Sequence, residues 1–314
     1  MVLAYLFILG LLFVSELIYI SIAKKLNIID KPNERSSHIS PVVRGGGIII
    51  IIAQLLFYLL NDFAFPYLLI AVIISATVSF IDDIKGLPSS IRFFSHLVSA
   101  LLLILQVNLF SIPILIILII LILIIGIINA YNFMDGINGI TGFYSIAIIF
   151  PLYLSESNQI IQTLEIYLTL ALLTFLFFNA RKKATCFAGD IGSISIAIII
   201  LFLLIYRINE TLNLVYIAFL LVYGIDSILT IIQRLLKKEN IFRAHRKHLY
   251  QNLSNEIGIP QLYISIFYGT IQLILNLIII HFAPSLTVAI IFSLTLAIIY
   301  IIIKWWILKT KIHL

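Results

Sequence analysis

The run ILIILIILILIIGII, from Ile114 to Ile128, contains only aliphatic residues and one glycine. A helix needs about 20 mainly apolar residues to cross the hydrocarbon core of a bilayer. Comparable apolar runs recur along the whole chain, near residues 2–22, 47–60, 66–81, 93–107, 112–128, 141–154, 160–179, 193–206, 213–235, 260–282 and 285–303. The pattern predicts an all-α integral membrane protein, a multispanning bundle of about 10–11 transmembrane helices that forms one domain over residues 1–314.

The composition excludes several classes of protein. The chain has 314 residues, of which 62% are hydrophobic and 11% are charged, whereas a soluble domain has about 25% charged residues. A soluble globular enzyme, a disordered chain and a secreted disulfide scaffold are therefore excluded. Cys186 is the only cysteine, so the chain has no internal disulfide and no thiolate metal cluster. Residues 1–23 lack a basic start and a cleavage site, which predicts a retained first span.

The basic residues predict the orientation. With eleven spans, every Lys and Arg except Arg207 falls on one side of the membrane or at the end of a span facing it. Basic residues in short loops stay in the cytoplasm, so we expect a multi-pass protein with its N-terminus outside. The loops that we expect in the cytoplasm are 24–46, 82–92, 129–140, 180–192 and 236–259, with the tail 304–314.

Two polar clusters come early in these loops. The first runs from Asp30 to His38 and continues through Arg44 into three glycines, residues 45–47. Glycines allow backbone to approach either another helix or a phosphate, and Arg35, His38 and Arg44 add positive charge. The second cluster is Asp82-Asp83; adjacent helical residues point about 100° apart, so we expect different roles for the two carboxylates.

The third cluster, NAYNFMDGINGI, covers residues 129–140. Asn129, Asn132 and Asp135 are spaced by three, which would place them along one helical face. A turn with helix caps is the alternative, since Asn, Asp and Gly favour turns.

The last two clusters suit a metal and an anion. In the fourth, Asp190 lies between Gly189 and Gly192 and is either a helix cap or a ligand for Mg²⁺, which takes one or two carboxylates and substrate phosphates. The fifth runs from Arg243 to Gln251 and includes His245, Arg246 and His248. Its alternative is a solvated or lipid-phosphate-binding loop.

Together the five clusters supply carboxylates, amides and cations on one surface of a lipid-embedded body. Phosphoryl transfer depends on such groups for positioning and charge neutralisation. The membrane suggests that one substrate is a lipid.

The order of these motifs resembles the polyprenyl-phosphate N-acetylhexosamine-1-phosphate transferases of the glycosyltransferase 4 family. The resemblance runs from about residue 30 to residue 252, through Asp-Lys-Pro-Asn, Asp-Asp, Asn-x-x-Asn-x-x-Asp-Gly-Ile-Asn-Gly-Ile, Gly-Asp-x-Gly-Ser and His-Arg-x-His-Leu-Tyr-Gln. It implies a protein of the bacterial inner membrane that often forms a homodimer, with a cytoplasmic active site and Mg²⁺ or alternatively Mn²⁺. The implied reaction joins N-acetylhexosamine-1-phosphate from a UDP-sugar to a polyprenyl phosphate and releases UMP. Nucleic acid is not an expected partner.

The resemblance also implies roles for individual residues. Asp82 would take the proton of the lipid phosphate, and Asp83 would support that geometry. Asp190, with Asn132 or Asp135, would hold Mg²⁺ on the diphosphate. The remaining implied substrate-binding residues are Asn138 near the nucleobase, His245, Arg246 and His248 on the diphosphate or sugar, and Arg44.

Two departures from the family's motif pattern indicate which branch of the family the chain resembles. Many bacterial members have Asp at the position of Asn138, and many have consecutive histidines where this chain reads His248-Leu249-Tyr250-Gln251. The second variant resembles the O-antigen-initiating branch of lipopolysaccharide synthesis. The alternative within the family is the phospho-N-acetylmuramoyl-pentapeptide transferase of peptidoglycan synthesis.

A membrane transporter is the alternative outside enzymology. Transporters place ionisable groups near the bilayer midplane, and here only Glu16 and Asp226 fall well inside predicted spans. We expect Asp226 to bond a neighbouring helix or to support the site.

Overall fold

A computed structural model describes residues 2–32, 40–241, 245–282 and 286–310. This part of the chain is almost entirely helical. Its α-helices are α1 Val2–Lys25, α2 Ile48–Leu60, α3 Pro66–Lys85, α4 Ser89–Val107, α5 Ile114–Met134, α6 Ile140–Ser155, α7 Gln159–Asn179, α8 Gly189–Thr211, α9 Leu221–Leu236, α10 Leu249–Asn255, α11 Gln261–Phe282 and α12 Leu286–Thr310. Short 3₁₀ helices cover Leu109–Ser111 and Leu214–Leu220, and the strands β1 Ile29–Asp30 and β2 Val42–Val43 pair antiparallel.

The predicted membrane fold is confirmed. In the described residues nine helical segments are long and apolar enough to cross a membrane, counting Leu214–Leu236 as one, and α2 and α6 are shorter apolar helices. These eleven segments coincide with the eleven predicted runs. The seven-residue α10 lies within the last predicted loop.

The helices extend further than the apolar runs. Helix α5 continues six residues past Ile128 to Met134, α3 continues to Lys85, and α8 begins at Gly189. Several clusters expected in loops thus lie on helix ends. Their polar side chains bond to neighbouring helices, so the backbone hydrogen bonds of the helix continue through them. Likewise Lys304, expected in the tail, is a buried residue of α12.

Helix α8 forms the centre of the bundle. Every residue from Ile191 to Leu204 is buried, as expected for a helix that is apolar on all sides and surrounded by protein. By contrast, α5 and α12 expose many large aliphatic side chains, which suit contact with lipid. The polar start of α8 is thereby fixed at one end of the bundle.

The glycines before α2 allow backbones to approach closely. A Cβ added to Gly47 would lie 2.1 Å from the Cα of Gly192, and one added to Gly46 would lie 2.5 Å from the Sγ of Cys186. Close packing thus accounts for these two glycines, and it brings the segment before α2 against the start of α8. Arg35 and His38 lie outside the described residues.

Candidate active site

The two adjacent carboxylates in the last turn of α3 point to different partners. Asp82 accepts a hydrogen bond from the backbone N–H of Leu87, and its Oδ2 lies 3.1 Å from Nη1 of Arg92 in α4. Asp83 instead faces the start of α8. The expected divergence of the pair is therefore observed, and the Asp82 side chain is the more exposed of the two, 10% against 4%.

Asp83 lies on the N-terminus of α8. Its Oδ2 accepts the backbone N–H of Asp190 at 2.9 Å, and the N–H of Ile191 also bonds to it. A helix N-terminus stabilises an anion through its free N–H groups and its dipole. The Asp83 carboxylate thus joins α3 to α8.

Arg44 lies beside the same carboxylate. Its Nη1 is 3.5 Å from Oδ1 of Asp83 and donates to the Asp83 carbonyl at 3.1 Å, while Nη2 is 3.3 Å from Oδ1 of Asp30. Backbone bonds from Phe187 N–H to the Val43 carbonyl and from Gly46 N–H to the Phe187 carbonyl fix this segment. The first, second and fourth clusters therefore meet at one place.

Asn132 connects the third cluster to Asp190. The Asn132 Oδ1 accepts from Ser193 Oγ at 2.7 Å, and its side chain also bonds to Asp190. Since the oxygen is used by Ser193, the amide N–H donates to the Asp190 carboxylate. The N-cap of α8 is Ala188, without a side-chain cap bond, so the helix-cap interpretation of Asp190 is wrong.

Asp135 follows directly after the end of α5. Its Oδ1 accepts from Thr141 Oγ1 at 2.6 Å. Burial raises the pKa of the Asp135 carboxyl to about 6; the bond from Thr141 opposes this and the charge of Asp190 adds to it. Asn129, the first residue of the set spaced by three, donates to the Ile125 carbonyl of its own helix. Only Asn132 and Asp135 of the three thus bond to residues of other helices.

The fifth cluster packs on the end of α5. The His245 ring lies 6.4 Å from the Phe133 ring and 4.9 Å from the His248 ring, measured between centroids. Tyr250 Oη donates to the Phe133 carbonyl at 3.0 Å. Arg246 is half-buried in the same segment, and Arg243 lies outside the described residues. The loop thus covers the segment that carries Asn132 and Asp135.

Asn138 is held by a different set of contacts. Its Nδ2 donates to the Arg181 carbonyl at 2.7 Å, and its own carbonyl accepts from Ser265 Oγ of α11 at 2.7 Å. The structure therefore places Asn138 against α11 and the loop before α8, apart from the bonded group around Asp190.

Sequence reasoning assigned no role to three residues that bond this group. Arg92 pairs with Asp82, Thr141 with Asp135, and Ser193 with Asn132. Arg92 carried a signal, as a basic residue next to the aspartate pair in the same predicted loop. Ser193 is the last residue of the Gly-Asp-x-Gly-Ser motif, whereas Thr141 carried no signal beyond lying near a motif. Asp226, which was expected to bond a neighbouring helix or to support the site, bonds His248 and the tyrosines Tyr268 of α11 and Tyr300 of α12.

The arrangement suits an anionic substrate and a divalent cation. Two arginines, Arg44 and Arg92, lie on two carboxylates, whereas Asp135 and Asp190 bond to the neutral Thr141 and Asn132. A cation beside Asp135 and Asp190 would relieve their repulsion. In the described residues no three His, Cys, Asp or Glu side chains form a metal-binding group, so a cation there would take further ligands from substrate and water.

A family-level similarity covers the central part of the chain. No curated protein matches the chain. Residues 65–208, which include Asp82, Asp83, Asn132, Asp135, Asn138 and Asp190, match the model of glycosyl transferase family 4, and this match supports placing the chain in that family.

Proposed function

We propose that this protein transfers N-acetylhexosamine-1-phosphate from a UDP-sugar to a polyprenyl phosphate and releases UMP. The observation that carries the proposal is the meeting of Asp82, Asp83, Asp190 and Asp135 with Arg44 and Arg92 at one end of an apolar bundle. A lipid phosphate can reach this end from the bilayer and a nucleotide from water. The family match supports the same reaction class.

Asp82 is the general base of the proposed reaction. It takes the remaining proton of the lipid phosphate monoester, and the freed oxygen attacks the sugar-bearing phosphorus of the UDP-sugar. The bond from that phosphorus to the bridging oxygen breaks, and UMP leaves with the electron pair. Asp82 is suited to this role because it is more exposed than Asp83, while Leu87 N–H and Arg92 fix its orientation.

Asp83 and Arg44 organise the site. Asp83 holds the start of α8 against α3, which fixes Asp190 relative to Asp82. Arg44 lies on Asp83 and is partly exposed, so it can exchange part of its contact for a substrate phosphate. Arg92, His245, Arg246 and His248 supply further donors for the diphosphate or sugar.

Asp190, Asp135 and Asn132 would hold Mg²⁺, or Mn²⁺ in its place. The ion would neutralise charge on the diphosphate. The residues fit this role because Asp135 and Asp190 are half-buried and near each other, and each bonds to a neutral partner. Asn132 offers an amide, but its oxygen is used by Ser193, which makes the two carboxylates the stronger ligands.

Two sequence features support a proposal for the protein's location and pathway: the basic loops and the His-Arg-x-His-Leu-Tyr-Gln variant. The protein would lie in the bacterial inner membrane with this site in the cytoplasm. It would begin an O-antigen or a related cell-surface polysaccharide. Asn138 would lie near the nucleobase, where its side-chain oxygen is available while its nitrogen bonds Arg181.

The test uses purified protein with Mg²⁺, undecaprenyl phosphate and a panel of UDP-N-acetylhexosamines. UMP and the lipid product are measured by mass. We expect one UDP-sugar to give both products in equal amounts. If no UDP-sugar gives either product, the proposal is wrong, and uptake of a solute by vesicles without UMP formation would favour a transporter.

Asp82→Asn tests the base in the same assay. We expect the rate of UMP release to fall by about 10²–10⁴-fold, the usual contribution of general base catalysis. The matched control is Asp62→Asn, because Asp62 is exposed at the other end of the bundle and has a φ of 51° that asparagine also tolerates. Near-normal turnover of Asp82→Asn would exclude the base assignment.

A further inference from the structure

Asp226 of α9 is a buried carboxylate at the centre of a hydrogen-bond network. It is 1% exposed. Its Oδ2 accepts from Tyr268 Oη of α11 at 2.9 Å, and its Oδ1 accepts from Tyr300 Oη of α12 at 3.2 Å. Thr230 Oγ1, in the next turn of α9, lies 3.3 Å from Oδ1.

The same carboxylate holds the segment that carries His248. Its Oδ1 accepts the backbone N–H of Leu249 at 3.0 Å, and Oδ2 that of Tyr250 at 3.4 Å. Lys304 supplies positive charge nearby, since its Nζ donates to Tyr300 Oη at 2.7 Å and to Thr230 Oγ1 at 3.0 Å. With donors on several sides and a cation close by, Asp226 is ionised and acts only as an acceptor.

This acceptor fixes the tautomer of His248. The ring Nδ1 lies 3.2 Å from Oδ1 of Asp226. A carboxylate cannot donate, so a hydrogen bond between them needs the ring proton on Nδ1. The backbone N–H of Gln251 also donates to this side chain in a capping box and, because Nε2 bonds no described protein atom, competes for Nδ1. The ionised carboxylate is the stronger partner, since charge-assisted hydrogen bonds are about twice as strong as neutral ones, so the proton is on Nδ1 and faces Asp226.

The other ring nitrogen is left for a ligand. His248 is 1% exposed, and within the described residues its Nε2 is buried and bonds no protein atom. A buried polar atom without a partner costs free energy. A substrate oxygen at Nε2 would satisfy it.

We propose that Asp226 is a positioning residue for sugar-phosphate transfer, acting through His248. It holds the ring plane and the proton on Nδ1, so that Nε2 faces the substrate as an acceptor. When Nε2 takes up a proton beside a phosphate, the carboxylate stabilises the imidazolium, and Nε2–H donates to the phosphate oxygen. The inference rests on the proposed function, but the tautomer can be measured without substrate.

A purely structural role of Asp226 predicts different effects of substitution. If it only anchored α10, then losing any donor of the network would have a comparable effect, and the proton on the His248 ring would be irrelevant. Tyr268→Phe is the matched control, because it removes a bond to Asp226 from α11 and leaves the contact with His248 in place.

The first experiment reads the tautomer in full-length protein labelled with ¹⁵N-histidine. The His248 signals are assigned by their loss in His248→Gln. In the wild type and in Tyr268→Phe we expect Nδ1 to be protonated and Nε2 unprotonated. In Asp226→Asn the amide can donate to Nδ1, so we expect the proton to move to Nε2. An unchanged tautomer in Asp226→Asn, or an Nε2-protonated wild type, overturns the proposal.

The second experiment is a double-mutant cycle on the rate of UMP release, with folding checked by size exclusion and thermal unfolding. We expect Asp226→Asn to lower kcat by about 10–100-fold, as for loss of a group that orients a functional histidine, and Tyr268→Phe to leave kcat unchanged. In a His248→Gln background, Asp226→Asn should cost nothing further. Losses that multiply, or a loss in Tyr268→Phe equal to that in Asp226→Asn, overturn the proposal.

Failure of the proposed function gives a different result from failure of this inference. If the wild type releases UMP from no UDP-sugar, the transfer reaction is wrong whatever the tautomer. If the wild type is active and the tautomer is set as expected, but the two losses multiply, only the action through His248 is wrong.

Discussion

The two ends of the helical bundle both bury carboxylates next to arginines, but they use them differently. At the end opposite the candidate site, Glu156 lies 3.6 Å from Arg207, and its Oε1 accepts the backbone N–H groups of Ser157 and Asn158 at 2.7 and 2.8 Å. Arg207 also donates to the Ser155 carbonyl. This pair closes the connection between α6 and α7 onto α8.

At the site end the carboxylates are distributed over more of the chain. They come from α3, the end of α5 and the start of α8, and they contact an arginine before α2 and another in α4. Asp135 and Asp190 are half-buried near each other, and their hydrogen-bond partners are the neutral Thr141 and Asn132, while the charges of Arg44 and Arg92 act on Asp190. Like charges held close together oppose ionisation of both groups, so this end retains groups that stability alone does not require, which is typical of functional sites.

Among the substitutions that compare the two ends, Asp190→Asn has the largest expected effect on activity. Asp190→Asn should lower the rate of UMP release by about 10²–10³-fold, as for removal of one electrostatic stabiliser, and raise the Mg²⁺ concentration at half-maximal rate. The control Glu156→Gln changes the same functional group at the opposite end and should leave both values unchanged. Equal losses in the two variants would contradict the comparison.

Gly189→Ala tests the close approach of α8 to α3. Gly189 has a φ of +69°, and an added Cβ would lie 2.7 Å from Oδ2 of Asp83. We expect the rate of UMP release to fall, because the methyl group displaces the carboxylate that binds the Asp190 N–H. A left-handed non-glycine residue also costs about 1–2 kcal/mol of stability.

The matched control for that substitution is Gly258→Ala. Gly258 has a φ of +80°, and nothing lies within 4 Å of an added Cβ. It introduces the same kind of backbone strain outside the site, so the melting temperature should fall while the rate stays at the wild-type value. If both variants lose activity alike, backbone strain and not the Asp83 contact explains the loss.

Arg207→Met tests whether the ion pair at the opposite end contributes to stability and not to activity. It leaves the Glu156 carboxylate, whose exposed fraction is 5%, without its cation, and we expect a destabilisation of about 1–3 kcal/mol. Thermal unfolding of the purified protein measures it. UMP release at a temperature where the variant is folded should match the wild type, and a selective loss of activity would mean that the two ends are coupled.

The sequence predicted the membrane fold well because apolar length is a local property. Each run between residue 2 and residue 303 is mainly apolar and visible without knowing its neighbours, even where it contains a charged residue such as Glu16 or Asp226. The boundaries were less accurate, since the fifth run was ended at Ile128, before the polar cluster, whereas α5 continues to Met134. Asn132 on the polar face of α5 bonds Ser193 of α8. This contact depends on the tertiary structure and is not visible in the local sequence.

The site was predictable to the extent that its residues stand out against an apolar background. Asp82, Asp83 and Asp190 were found in this way, but the bond between Asp83 and the Asp190 N–H depends on how α3 crosses α8. Arg92 and Thr141 needed the same knowledge. Asp226 was visible as a charge in a span, yet its bond to His248 joins residues 22 apart through the start of α10.

The smallest expected effect concerns His245, beside His248. Burial and, to a lesser extent, the neighbouring His248 and nearby cations together lower the pKa of His245 to about 4. A base with a lowered pKa is neutral above that value, so His245 should stay uncharged from pH 5 to pH 8 and would contact substrate as a neutral donor or acceptor. The ¹H–¹³C ring signal of His245 should not shift over this range. The exposed His281 of α11 is the reference histidine in the same spectrum. A His245 signal that titrates near pH 6.5, the usual histidine value, would show that this ring is hydrated, and it would then become a cationic phosphate contact of the same kind as Arg44.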